Sequence, residues 1–173
     1  TILTPNIDRM ATEGLRFTDC YSGDTVCASA RSTLMTGYHK GHTPVRGNSG
    51  GIPLFPEDVT VAEVLKKAGY VTGGFGKWGL GNTWSSGNPT KQGFNWFFGY
   101  NCQRHAHSYY PSYLWSDDKR IELNNNPPVP GHASLADGTD PADPASYDIF
   151  KGQDYAPDRI NEQALAFIRK NKE

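Results

Sequence analysis

Long apolar runs are missing from these 173 residues. Nothing approaches the roughly 20 residues of a membrane span, and the N-terminal end has no short apolar core of the kind a secretion signal carries. Charge of one sign is missing as well. Lys and Arg total 17 against 18 Asp and Glu, a formal net charge of −1, so there is no basic field and bulk nucleic-acid binding is disfavoured. Cysteine is scarce: three thiols cannot build a disulfide scaffold, and the odd count leaves at least one without an internal partner. Cys20 and Cys102 are the candidates for pairing. Glycine (19) and proline (12) are abundant and the mean hydropathy is −0.62, which predicts a loop-rich chain. Aromatics at 12% argue against disorder, and the length suits one ordinary domain with a core.

Neither end reads as a natural terminus. The chain opens at Thr1 without a methionine, and its last segment, 158–170, carries Ile160, Ala164, Phe167 and Ile168 as one helical stripe that needs a partner. Near the start, Thr4-Pro5 reads as an N-cap and first-turn proline, Ile7, Met10 and Ala11 follow at helical spacing, and Gly14 ends the helix. Residues 15–21 then read as a short strand. A second unit is clearer. Thr60 and Glu63 form a capping box, Val61, Val64, Leu65 and Ala68 make an apolar stripe, and Gly69 stops it. Tyr70 to Thr72 continues as a strand running into Gly73-Gly74-Phe75-Gly76. Helix followed by strand, twice, predicts an α/β domain with a largely parallel sheet. Residues 124–154, rich in Asn, Pro, Ala, Asp and Gly, lack any periodicity and read as a long functional loop or an insertion.

Chemistry concentrates in Cys27-Ala28-Ser29-Ala30-Arg31-Ser32-Thr33-Leu34-Met35-Thr36-Gly37. Asp24 and Thr25 precede it as caps for a helix that ends at Gly37. Cys27 then sits at the helix N-terminus, where free N–H groups and the helix dipole favour an anion. Arg31, four residues on, returns to the same face with a forked donor. On spacing alone, Cys27 as a small buried hydrophobe with Arg31 on the surface fits equally well.

This stretch resembles the sulfatase signature C-x-P-S/x-R-x-x-x-x-T-G, and three further segments follow the family in order. Thr4-Pro5-Asn6-Ile7-Asp8 is similar to its T-P-N-I-D helix start. Gly69-Tyr70 through Gly76-Lys77-Trp78-Gly79-Leu80-Gly81 is similar to G-Y-x-T…G-K-W-H-L-G. Lys91-Gln92-Gly93-Phe94 with Phe97-Phe98-Gly99 is similar to H/K-x-G-F…F-x-G. The resemblance implies the N-terminal to central part of an alkaline-phosphatase-like α/β domain, a three-layer sandwich with a largely parallel sheet. It also implies hydrolysis of a sulfate monoester, of a sulfated carbohydrate or an aryl sulfate. In that family a maturation enzyme oxidises the signature cysteine to formylglycine, whose hydrate attacks sulfur beside a Ca²⁺ ion. Carried over, Cys27 is the nucleophile precursor and a metal ligand once modified, Arg31 orients the hydrate, and Lys77 neutralises charge on the sulfuryl oxygens. His105 and His107 fall where the family places substrate-contacting residues. They are assigned as leaving-group acid or substrate contact, with Gln103 as a further substrate contact. Both histidines share one side if the stretch is extended. The resemblance further implies export to the periplasm or beyond.

Three departures bear on that reading. Ser29 stands where the family has proline or alanine, so conversion of Cys27 is not assured. Gly79 replaces the histidine of G-K-W-H-L-G, so that contact is absent or supplied from elsewhere. The family's remaining metal ligands fall outside this chain, and Asp117-Asp118 reads as a surface turn, so this piece alone should hold Ca²⁺ weakly or not at all. His39, His42 and Arg46 read as support behind the nucleophile. Tyr109, Tyr110, Tyr113 and Trp115 suit either sugar stacking or core packing. A catalytically silent relative that binds sulfated glycans, or a phosphoester hydrolase of the same superfamily, remain the alternatives.

Overall fold

The computed structural model describes residues 2–49 and 52–172; Thr1 and Glu173, at the two ends of the chain, lie outside the described residues. Helix α1 (Pro5–Glu13) starts at its first-turn proline as expected. The Thr4 hydroxyl donates to the Asp8 carboxylate at 3.0 Å instead of capping a backbone N–H. None of α1's residues is buried. The strand expected at 15–21 is irregular chain, with Leu15, Phe17 and Tyr21 exposed. A strand needs a ladder partner, and the four-stranded sheet of the described residues does not reach this segment.

Helix α2 (Cys27–Thr36) begins after an extended Val26 and closes at Gly37 in the left-handed region. Helix α3 (Val61–Lys67) carries the expected capping box: Thr60 Oγ1 accepts from the Glu63 N–H at 3.2 Å, and the Glu63 carboxylate accepts from the Thr60 N–H at 2.8 Å. Its apolar stripe is a different matter. Val61, Val64 and Leu65 are exposed and Ala62 alone is buried. The reason is that α3 docks through its cap: the Thr60 hydroxyl donates to the Gln92 carbonyl at 2.7 Å.

The sheet runs β1 (Gly73–Lys77), β2 (Trp96–Tyr100), β3 (Tyr113–Ser116) and β4 (Lys119–Glu122) in that spatial order. The β1–β2 pair is parallel, Gly73 opposite Trp96 through Lys77 opposite Tyr100, and the β2–β3 and β3–β4 pairs are antiparallel. Within these residues the sheet is therefore mixed. Asp117 and Asp118, expected as a surface turn, do more than that. Asp117 accepts from the Phe97 N–H at 2.8 Å and Asp118 from the Asn88 amide at 2.6 Å, which stitches the β3–β4 turn to β2 and to the loop before it.

Alternation along β2 builds the layers. Phe97 packs on one face with Ala28 of α2, Leu54, Trp78 and Leu80. Phe98 and Tyr100 pack on the other with Leu114 and Ala156, the first residue of helix α4 (Ala156–Lys170). Further along α4, Phe167 meets Phe75 and Trp96 with ring centroids 5.5 and 6.0 Å away. Helix α2 on one face and α4 on the opposite face give three layers. Burying a ring such as Phe97 stabilises this arrangement by about 2 kcal/mol. Residues 124–154 hold one 3₁₀ turn, Pro144–Phe150. Both ends of the loop are pinned by buried Asn125, which accepts from the Gln153 and Asp154 N–H groups at 2.8 and 3.0 Å and donates to the Pro111 carbonyl at 2.9 Å. Cys20, Cys27 and Cys102 are all free thiols.

Candidate active site

Two elements bring the sequence-predicted groups together. Cys27 is the first residue of α2, half-buried, and Lys77 is the last residue of β1. Both line one open cleft of about 880 Å³ with Arg31, Tyr21, Tyr38 and His39. Burial pushes the Cys27 thiol up, and the nearby Lys77 ammonium, with a smaller contribution from Asn48, outweighs it, bringing the thiol below its ordinary value. The Arg31 guanidinium donates to the Lys77 carbonyl, so helix and strand end are fastened through the site itself. Burial draws Arg31 below its usual value and the charge of Cys27 opposes this. No carboxylate lines the cleft. Among the described residues neither Arg31 nor Lys77 makes an ion pair. Two unpaired cations at a helix N-terminus form an anion site.

The N-terminus of α2 is held differently from the cap expected of Asp24 and Thr25. The cap position is Val26, which offers no side-chain acceptor, and Asn48 accepts from the first-turn Ala28 N–H at 3.0 Å. Asp24 instead ion-pairs with Lys40 at 2.7 Å and accepts from the Ser29 hydroxyl and, at 2.8 Å, from the Thr25 N–H. The Lys40 and Ser29 hydrogen bonds hold the Asp24 carboxyl down at about 2. Ser29, the departure from proline, is thus a fully buried anchor. Behind α2, Ser32 bonds to Thr43, whose carbonyl accepts from the Arg46 guanidinium at 3.0 Å, and His39 accepts from the Gly41 N–H at 3.1 Å.

The two histidines part company. His105–His107 is a 3₁₀ turn, not extended chain. At about three residues per turn, two positions apart point roughly 120° apart, not to one side. His105 lies against Tyr100 and Tyr113, centroids 5.4 and 4.3 Å away. Neither histidine lines the Cys27 cleft. His107 is held below its ordinary value by burial first, then by Lys77 and His132. The His132 ring lies 4.1 Å away, centroid to centroid. Gln103 is 7% exposed, and its amide donates to the Asn48 carbonyl at 3.4 Å. A Cβ built on Gly79 would stand 3.0 Å from the Gln103 Cβ, so Gln103 occupies the space next to the missing side chain. Tyr109 and Tyr110 stack against Tyr155, and Trp115 packs into the core. Asn48 and His132 escaped the sequence reading, since each comes from an aperiodic loop.

A three-layer α/β unit with a cysteine, a lysine and an arginine converging at a helix N-terminus defines an anion-handling α/β protein. The chain matches the Sulfatase family over residues 1–173 and belongs to that family. It is 43% identical to human arylsulfatase G over 101 residues, 56% of this chain and 19% of that protein. It is 46% identical to human arylsulfatase A over 103 residues, 56% of this chain and 20% of that protein. The solved structure of BT4656 in complex with its substrate, D-glucosamine-2-N,6-O-disulfate, superposes with a TM-score of 0.64 at 26% identity, over 97% of this chain and 26% of that one. The chain spans about a fifth of the length of the two arylsulfatases.

Proposed function

We propose that this chain carries the nucleophile side of a sulfate-monoester hydrolase, as the N-terminal to central part of one catalytic domain with residues 124–154 as a loop or insertion. The observation that carries this reading is the convergence of Cys27, Lys77 and Arg31 on one carboxylate-free cleft. Arg31 and Lys77 hold the ester's anionic oxygens at the α2 N-terminus, and Lys77 offsets the charge that grows on them at the transition state. Asn48 holds the first turn that carries position 27 through the Ala28 N–H. Converted by a maturation enzyme to formylglycine, position 27 supplies a hydrated aldehyde, a nucleophile that can release sulfate afterwards, which a plain alcohol cannot. His107 stands near enough to Lys77 for the two charges to interact. A proton held loosely on its ring is the kind a departing alkoxide takes. The sugar ligand of BT4656 favours a sulfated glycan as substrate.

Calcium does not fit this chain's residues alone. The cleft has no carboxylate, and the described residues contain no cluster of three His, Cys, Asp or Glu, whereas Ca²⁺ takes about 6–8 oxygens. We infer that the other ligands come from outside these 173 residues, and no step here runs through the metal. No helix among the described residues is long and apolar enough to cross a membrane, and export is the setting the likeness favours. The test is peptide mass spectrometry of the full-length protein, which should find position 27 without its sulfur. Turnover should favour an aryl sulfate over the matching aryl phosphate. An intact thiol in a converting host, or a preference for phosphate, overturns the assignment.

A further inference from the structure

A second pocket of about 370 Å³ opens on the other side of Asn48, inside the size range of small-ligand sites, about 300–1,000 Å³. Its lining is unlike that of the cleft. Asn48, Asn82, Asn101 and Gln103 present four amides, and Trp84 and Arg104 complete the wall. Trp84 is 76% exposed, so nothing in the described fold explains it by packing. Arg104 has no ion-pair partner among the described residues. Asn101 and Gln103 are at least nine-tenths buried, yet both side-chain polar atoms of Asn101 and the Gln103 carbonyl oxygen lack a hydrogen-bond partner. Buried amides are normally satisfied, and leaving them orphaned is costly.

We propose that this pocket is a saccharide subsite for an anionic pyranose ring of the same glycan whose sulfate ester enters the Cys27 cleft. The chemistry matches group by group. An indole offers a flat apolar face to the C–H face of a pyranose. A primary amide, donor and acceptor side by side, pairs with adjacent hydroxyls. A free guanidinium takes a carboxylate or second sulfate in a forked contact. Asn48 joins the two sites: its side chain accepts from the Ala28 N–H, next to Cys27 in the first turn of α2, at 3.0 Å, and its backbone carbonyl accepts from Gln103. The bare Gly79, where the family has histidine, leaves Gln103 its place in that wall. The subsite rests on the hydrolase reading for its choice of ligand, and it assigns specificity to residues outside the cleft.

Isothermal titration of the full-length protein with a sulfated disaccharide, alongside Trp84→Ala and Gln103→Leu, tests it without requiring turnover. Both substitutions should raise Kd, Trp84→Ala by about tenfold, the loss of one well-placed ring contact. Circular dichroism of Gln103→Leu should show the parent fold, although the variant also loses the bond to the Asn48 carbonyl. Disaccharide affinity unchanged in Trp84→Ala, or no binding by the parent protein, overturns the subsite. Parent turnover of an aryl sulfate reads the hydrolase separately. Turnover with Trp84-insensitive binding sinks the subsite alone, and Trp84-sensitive binding without turnover sinks the hydrolase alone.

Discussion

A thiol beside an ammonium is a titration experiment waiting to be done. In protein made without conversion of position 27, Cys27 is opposed by burial and favoured by Lys77 and Asn48, with the favourable side ahead. Its alkylation rate should therefore rise with pH and level off below the ordinary thiol midpoint of about 8.5. Lys77→Met removes the charge and leaves the burial, so the midpoint should move upward. Site-resolved mass spectrometry after timed iodoacetamide pulses reads this, with exposed Cys20 and Cys102 as reference thiols in the same molecule. A midpoint indifferent to Lys77 would mean that the two groups do not share the cleft. Much of this site was legible from sequence because its spacings are short-range physics: Cys27 and Arg31 sit one helical turn apart, and Lys77 ends a glycine-rich strand. Asn48 was not legible. It reaches back to the first turn of α2 from the irregular chain that follows the helix, and no local rule says where such a loop returns.

Elements show the same division between local and tertiary causes. The Thr60–Glu63 box and the stop at Gly37 followed from capping rules and stand in the structure. The strand expected at 15–21 failed because alternation is only half of what a strand needs, the other half being a neighbour. The His105–His107 pair failed because two residues cannot announce whether their backbone is extended or coiled. Asp24 was read as a helix cap and is instead a clamp on Ser29 and Lys40, a role set by Val26 taking the cap position. The clamp has a pH signature. A carboxyl held at about 2 in the fold and near 3.9 in the unfolded chain adds stability above the unfolded value. That stability is lost as pH falls from about 4 toward 2, because the unfolded chain then binds the proton first. Asp24→Asn removes the charge altogether. Melting temperature against pH should consequently fall less steeply across that window in the variant, measured by circular dichroism. Parallel curves for parent and variant would show that the clamp contributes nothing to the fold.

Taken whole, the molecule presents too much surface for its mass. It exposes 11,662 Å², where a compact monomer of 19.1 kDa exposes roughly 8,400 Å² by the usual scaling of area with mass. Large apolar side chains are exposed all along the chain, and α1 is the clearest case. Ile7 and Met10 of α1, with Leu3, Leu15 and Phe17 around them, are each at least 65% exposed, and α1 buries nothing. The sheet adds to the picture, since β1 is paired on one side only, leaving an unsatisfied ladder edge. These faces have the character of a core cut open, and the relatives, about three times as long as this chain, offer ample chain to cover them. The 173 residues expressed by themselves should accordingly bind the dye 1-anilinonaphthalene-8-sulfonate strongly and self-associate as concentration rises, while full-length protein does neither. Changing Ile7 and Met10 together to lysine should lower dye binding by the isolated chain and improve its solubility, because in that setting both side chains face water. The same pair of changes should destabilise the full-length protein, each buried position there being worth about 2 kcal/mol or more. Opposite effects in the two settings are the signature of a face made for burial. Equal effects in both would show that α1 meets solvent in the complete protein too.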